Sequence, residues 1–188
     1  FLIPVAAALG IHTTFFGQGR LPQRPITAYL RELTKKGITF DYHNTMPFTI
    51  DGKLRSGVFE LEGDVSSQYV TGLLFALPLL DGDSEIRMLS KLESKPYVDL
   101  TIACLRHFGI AVQETEQGYA VAGGQQYHAC DLTVEGDYSQ AAFFCVANAL
   151  GSDITLTNLN PESVQGDKKI VEIVREMCYN REQGLPAG

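Results

Sequence analysis

Two stretches decide the fold: RPITAYLRELTKKGITF at residues 24–40 and KPYVDLTIACLRHFGIAV at residues 95–112. Each opens on a basic residue and a proline and continues with apolar residues at helical spacing. Each then passes through a glycine into β-prone residues. Their starts are 71 residues apart, and so are Pro25 and Pro96. Two landmarks in one register point to a repeated supersecondary unit. A third stretch, QGDKKIVEIVREMC at residues 165–178, has the same character.

A second shared pattern lies upstream of each. FLIPVAAALG (1–10), YVTGLLFALP (69–78) and FFCVANALG (143–151) are short apolar helix patterns. A β-prone run follows each: HTTFF (12–16), SEIRML (84–89) and SDITLTNL (152–159). Residues 57–62 and 131–135 read as strands entering Glu-Gly-Asp turns. Residues 38–43 with 48–51, and 110–116 with 119–123, read as antiparallel pairs, the second turning at Gly118. The unit is strand, helix, strand, helix, strand, strand. It divides the chain into a first repeat at 1–55 lacking its opening strand, a complete second at 56–130 and a truncated third at 131–178. Residues 179–188 read as a tail or linker. A chain that begins and ends inside a repeat is expected to be a piece of a longer protein.

The two helices of the unit differ. In the first kind, Leu73, Leu74, Phe75, Ala76 and Leu77 leave no polar face, so it is expected to be buried on most sides. The second kind is amphipathic, with Tyr29, Leu30 and Leu33 set against Arg31, Glu32, Lys35 and Lys36. The fold class is therefore α/β, with buried helices, outer mixed sheets and copies about a shared axis. Val5, Leu9, Val70 and Leu74, and separately Phe143, Phe144, Val146 and Ala147, are expected on apolar surfaces that need cover.

Composition narrows the function. Of 188 residues, 45% are hydrophobic and 20% charged, which is globular rather than disordered or coiled-coil composition. The longest apolar run, 73–80, falls short of the roughly 18 residues of a membrane span. The start has no basic n-region of a signal peptide. A net charge of −7 disfavours nucleic acid as a partner, while leaving room for a local anion pocket. Cys104, Cys130, Cys145 and Cys178 lack metal-ligand spacing and fit buried free thiols in a reducing cytosol. There is no GxxxxGK[ST], GxGxxG or HExxH. His12, His43, His107 and His128 are dispersed.

Three segments can carry chemistry. Gly63-Asp64-Val65-Ser66-Ser67-Gln68 precedes an apolar helix, where two hydroxyls join unpaired N–H groups and the positive end of the helix dipole. That combination suits a phosphate or carboxylate. In Ser94-Lys95-Pro96-Tyr97, Pro96 fits a first helical turn and Ser94 can cap it. In Arg20-Leu21-Pro22-Gln23-Arg24-Pro25, Arg24 could fork two donors onto an oxyanion. Each has a plainer reading: helix capping, a solvated lysine, a surface arginine. Asp64 and Asp137 hold equivalent positions in two copies, which favours structural turn roles.

These motifs resemble the enolpyruvyl transferase family, in its 5-enolpyruvylshikimate-3-phosphate synthase branch. The resemblance extends from residue 1 to about residue 178. Its most specific parts are Gly63 through Tyr69, Glu93-Ser94-Lys95-Pro96-Tyr97-Val98-Asp99 and the segment ending in Arg24-Pro25. Val134-Glu135-Gly136-Asp137 and Val164-Gln165-Gly166-Asp167 add support. The resemblance implies an inside-out α/β barrel of repeated βαβαββ units. It implies a cytoplasmic transferase of the shikimate pathway of aromatic amino acid biosynthesis, usually monomeric at full length, with no cofactor or metal. Its small-molecule substrates would be phosphoenolpyruvate and shikimate 3-phosphate, with no nucleic acid or membrane partner.

Residue roles follow from the resemblance at matching positions only. Ser66, Ser67 and Ser94 would hold the shikimate phosphate. Gln68 and Tyr97 would contact shikimate 3-phosphate, Gln68 also lying near the enolpyruvyl group. Arg24 would bind phosphoenolpyruvate and the competing inhibitor glyphosate. Lys95 receives no direct ligand contact. The family's N-terminal Lys-Ser segment, its Gly-Thr-x-x-Arg motif and its later catalytic aspartate, glutamate and lysine have no counterpart here. No catalytic residue is identified, and the expectation is a fragment that is inactive alone. The alternative is a non-catalytic anion-binding or structural repeat domain.

Overall fold

The structure, a computed structural model, describes residues 1–64 and 66–182, with side chains as far as residue 178. It divides into two units, Phe1–Cys130 and Asp131–Gly188. The first unit opens with α1 (Leu2–Leu9), β1 (Thr13–Phe15), α2 (Thr27–Lys35), β2 (Thr39–Asp41) and β3 (Phe48–Asp51). It continues with β4 (Val58–Leu61), α3 (Ser67–Ala76), β5 (Ser84–Met88), α4 (Lys95–His107), β6 (Gln113–Thr115) and β7 (Gly118–Val121).

The strands form two sheets, ordered β1-β3-β2 and β4-β5-β7-β6. β4 and β5 are parallel, and every other pairing is antiparallel. The order β1-β3-β2 is reproduced by β5-β7-β6, so the offset of the two sequence patterns is an offset between two sheets of one design. Among the described residues the first sheet has no counterpart of β4.

Alternation along the strands sends Phe48 and Ile50 inward from the first sheet, and Phe59, Leu61, Ile86, Tyr119 and Val121 from the second. The space they face is filled by α1 and α3, which pack side by side, and by α4 against α3. Val70, Leu73, Leu74 and Ala76 of α3 are wholly enclosed. Full burial of one such leucine stabilises the fold by about 1.5–3 kcal/mol. Two polar atoms are admitted to this layer: the buried Thr71 and Thr101 hydroxyls bond each other at 3.0 Å.

The structure corrects several expectations. Val70 and Leu74 are core residues rather than parts of an uncovered surface, because α1 and α4 flank α3. Gly118 opens β7 instead of turning the hairpin, and the turn is Glu116-Gln117. The glycine is required because its φ is 146° and a Cβ would lie 2.1 Å from the Ile86 carbonyl oxygen. Pro96 does sit in the first turn of α4, but α2 begins only at Thr27, two residues after Pro25. Arg24 is extended, and the Pro25 carbonyl accepts a bond from the Tyr69 hydroxyl instead of one from the helix.

The second unit contains α5 (Tyr138–Ala149), a 3₁₀ turn at Gly166–Lys169 and α6 (Ile170–Glu182). The strands expected at 131–135 and 152–159 are irregular. The two segments meet through one backbone bond, Gly136 N–H to Asn158 at 2.7 Å, and the Asn158 amide donating to the Val134 carbonyl. Leu132 and Val134 are exposed, so a ladder there would bury little apolar surface, and an isolated two-stranded ribbon is marginal in water. Phe143, Phe144 and Val146 are exposed, while Ala147 is half-buried. Helix α6 extends past residue 178 to Glu182. The remainder of the expected tail, 183–188, lies outside the described residues.

All four cysteines are free, but none is fully buried, and Cys130 in an irregular segment is exposed. Among the described residues no helix is long and apolar enough to cross a membrane.

Candidate anion-binding site

Because β4 and β5 are parallel neighbours, the helices that follow them start at one sheet edge. The intervening loops are cross-tied. Leu89 N–H donates to the Leu61 carbonyl at 2.8 Å and Glu93 N–H to that of Gly63 at 3.3 Å. Gly63 N–H donates to Ser90 Oγ at 2.9 Å, and Ser90 Oγ donates to Asp64 Oδ1 at 3.0 Å. A Cβ on Gly63 would stand 2.6 Å from the Lys91 carbonyl oxygen, so only glycine allows this approach.

The serines sit where these loops become helices. Ser66 is extended (φ −172°, ψ 129°) and its Oγ accepts the Gln68 N–H at 3.2 Å. Ser67 is the first residue of α3 and is half-buried. Ser94 precedes α4 without using its hydroxyl as a cap. Gln68 is exposed on the first turn of α3. Tyr97 is exposed on the first turn of α4, its N–H bonded to the Ser94 carbonyl. Lys95 turns to Asp99 (2.7 Å) and Glu114 (3.3 Å), and the Asp99 hydrogen bond holds its ammonium above the ordinary lysine range.

Arg24 reaches this edge by a separate route. Tyr69, on the first turn of α3, donates its hydroxyl to the Pro25 carbonyl. Tyr29 of α2 donates to the Tyr69 carbonyl at 2.9 Å, and the two rings meet edge to face at 4.8 Å. Burial pushes the Tyr29 phenol far above its usual range, so it stays a donor. The Arg24-Pro25 segment is thus tied to the start of α3. Arg24 is exposed and has no ion pair among the described residues.

The six predicted residues therefore belong to one edge and one tethered segment. Gly63, Ser90, Tyr69 and Tyr29 were not singled out as organisers of that edge. Gly63 was legible only as a turn residue, and the others act through contacts 26–44 residues apart in sequence.

The equivalent start of α5 is built differently. Asp137 accepts the Ser139 N–H at 2.8 Å, and Gln165 Oε1 accepts the Tyr138 N–H at 2.9 Å. The Ser139 bonds pull the Asp137 carboxyl below its ordinary range. A fixed carboxylate caps this helix, leaving the position unsuited to a second anion.

The family described as EPSP synthase (3-phosphoshikimate 1-carboxyvinyltransferase) matches residues 1–184. This chain belongs to the EPSP synthase family. Among curated relatives, the 3-phosphoshikimate 1-carboxyvinyltransferase of Clostridium kluyveri is 48% identical over 97% of this chain and 43% of the relative. That of Clostridium beijerinckii is 42% identical over 98% of this chain and 44% of the relative. An EPSP synthase structure from Acinetobacter baumannii shares the fold, with a TM-score of 0.72 at 22% identity, over 93% of this chain and 39% of that one. The chain therefore spans rather less than half the length of the relatives it matches. The mixed α/β fold of this EPSP synthase-family chain is that of its solved relatives.

Proposed function

We propose that this chain carries the phosphate-recognising half of an enolpyruvyl transferase site. In the complete reaction, the 5-hydroxyl of shikimate 3-phosphate adds to C2 of phosphoenolpyruvate, C3 takes a proton, and inorganic phosphate leaves the tetrahedral intermediate. The observation that carries the reading is the cross-tied edge of β4 and β5, from which the helices headed by Ser66, Ser67 and Ser94 both depart. The dipoles of the two helices and the serine hydroxyls suit a phosphate dianion. Gln68 and Tyr97 flank that position and contact the rest of shikimate 3-phosphate. Gln68 also faces the enolpyruvyl group.

Arg24 offers a planar fork to phosphoenolpyruvate. Proton transfer is assigned to no residue of this chain. The four unpaired cysteines fit a cytoplasmic setting. Spans 1–55, 56–130 and 131–178 are our division into repeats, supported for the first two by the matching sheet orders.

Calorimetric titration of the chain with shikimate 3-phosphate and with inorganic phosphate tests the reading. A clear preference for shikimate 3-phosphate is expected. Equal affinity for the two would favour an anion-binding repeat domain, and no saturable binding of either would favour a structural one.

A further inference from the structure

β4 is an edge strand, and its outward peptide groups at Glu60 are taken by two consecutive side chains of α2. Glu32 Oε2 accepts the Glu60 N–H at 3.0 Å, and Arg31 Nη2 donates to the Glu60 carbonyl at 2.6 Å. Arg31 then forks onto both oxygens of Glu62, with Nη1 at 2.5 Å and Nη2 at 3.1 Å. Its Nε binds Glu32 at 2.8 Å, and Lys35 Nζ meets the same carboxylate oxygen at 2.9 Å. Arg31 so holds the end of β4 through the Glu60 carbonyl and the Glu62 side chain, just before Gly63.

We infer that Arg31 is a positioning residue for the anion site, fixing the end of β4 and the Gly63-Asp64 turn that follows it so that Ser66 and Ser67 meet the phosphate. This rests on the proposed role of those serines. The guanidinium has two functions that no other described side chain duplicates. It ties the Glu60 carbonyl to the Glu62 side chain, and it pairs with the Glu62 carboxylate four residues before Ser66. Lys35 neutralises Glu32 but touches neither Glu60 nor Glu62, so it serves as the control.

The test compares Arg31→Ala, Arg31→Lys, Lys35→Ala and the Ser66→Ala/Ser67→Ala pair in the full chain. Shikimate 3-phosphate affinity is measured below every melting temperature, and amide hydrogen exchange alongside it. Arg31→Ala should weaken binding at least ten-fold. Arg31→Lys should recover only part, since an ammonium cannot fork. Lys35→Ala should stay within two-fold even where it lowers the melting temperature. Exchange should quicken at residues 60–68 in both Arg31 variants while the middle of α4 is unchanged; if Arg31→Ala does not fold, Arg31→Lys carries the comparison. Unchanged affinity in the Arg31 variants, with binding lost in the serine pair, overturns the inference and leaves the site reading intact. Absence of shikimate 3-phosphate binding in the unaltered chain overturns both.

Discussion

The Glu32 carboxylate, 1% exposed on α2, accepts the peptide N–H of Glu60 on β4 at 3.0 Å. With Arg31 on the neighbouring carbonyl, two side chains do the work of an absent strand. An edge strand left bare presents unpaired peptide groups that invite pairing with another chain. Here α2, which leads into the first sheet, closes an edge of the second, so the two sheets are joined by polar contacts as well as by the apolar core.

Removing that carboxylate should be costly. Glu32→Ala leaves the Glu60 N–H without its partner and two cations without their shared anion. A loss of about 3 kcal/mol is expected, the scale for breaking a buried charge network. Urea unfolding followed by circular dichroism measures it, and a loss under 1 kcal/mol would contradict the assignment.

Acid should act through the same cluster. Burial alone would raise the Glu32 pKa, but the bonds from Lys35, the Glu60 N–H and Arg31 outweigh it and hold the carboxyl below its ordinary range. The Arg31 fork does the same to Glu62. Groups with depressed folded-state values contribute stability that is full above the unfolded value, about 4.3 for glutamate, and lost as pH falls through the folded value. Melting temperatures should therefore drop below about pH 4.3. The drop should be shallower in Glu32→Gln, which is less stable at neutral pH but has no proton to take up there.

Gly63→Ala tests the junction of the two loops. The added methyl would press on backbone at 2.6–2.7 Å, which a side-chain rotation cannot relieve. Separation of the loops is expected, with about 1–3 kcal/mol of destabilisation and weaker binding of shikimate 3-phosphate. An alanine variant as stable and as tightly binding as the parent would show that the close approach is dispensable.

Ser66→Ala with Ser67→Ala should cost about 1 kcal/mol through the lost cap on Gln68. The larger effect should fall on shikimate 3-phosphate affinity, expected to drop at least ten-fold, with circular dichroism unchanged. A fall in stability with unchanged affinity would reduce these serines to caps.

On the proposed reading, the 188-residue chain alone should release no phosphate from phosphoenolpyruvate and shikimate 3-phosphate above background. Charge stabilisation and proton transfer supply large parts of such a rate, and this chain offers one tethered arginine and no assigned acid. A coupled phosphate-release assay decides it, and turnover at an ordinary enzymatic rate would contradict the reading.

The sequence was most informative where periodicity was strong. Leu73 through Leu77 announced a helix without a solvent face, and the offset of Pro25 and Pro96 pointed to two sheets of the same strand order. Ser66 and Ser94 were legible because helix starts have a local signature. What escaped was non-local. Arg31 and Glu32 looked like the polar face of an amphipathic helix, since nothing nearby in sequence marks a peptide group 28 residues away as their partner. The two missing strands of the second unit failed for a related reason: β propensity forms a ladder only where a neighbour and a covered face exist.

The enclosure of α3 has an electrostatic consequence. Its central apolar side chains are sealed from solvent, so mobile ions cannot approach most of its length. A dipole surrounded by hydrocarbon keeps its field, whereas a charge standing in water is screened within about 10 Å at 0.1 M salt. Arg24 is of the second kind, exposed on its loop. Rising ionic strength should therefore erode attraction for an anion at Arg24 sooner than for one at the head of α3. The two oxyanion positions of the proposed site would then be held by fields of different endurance, the one at α3 weakening more gradually as salt rises.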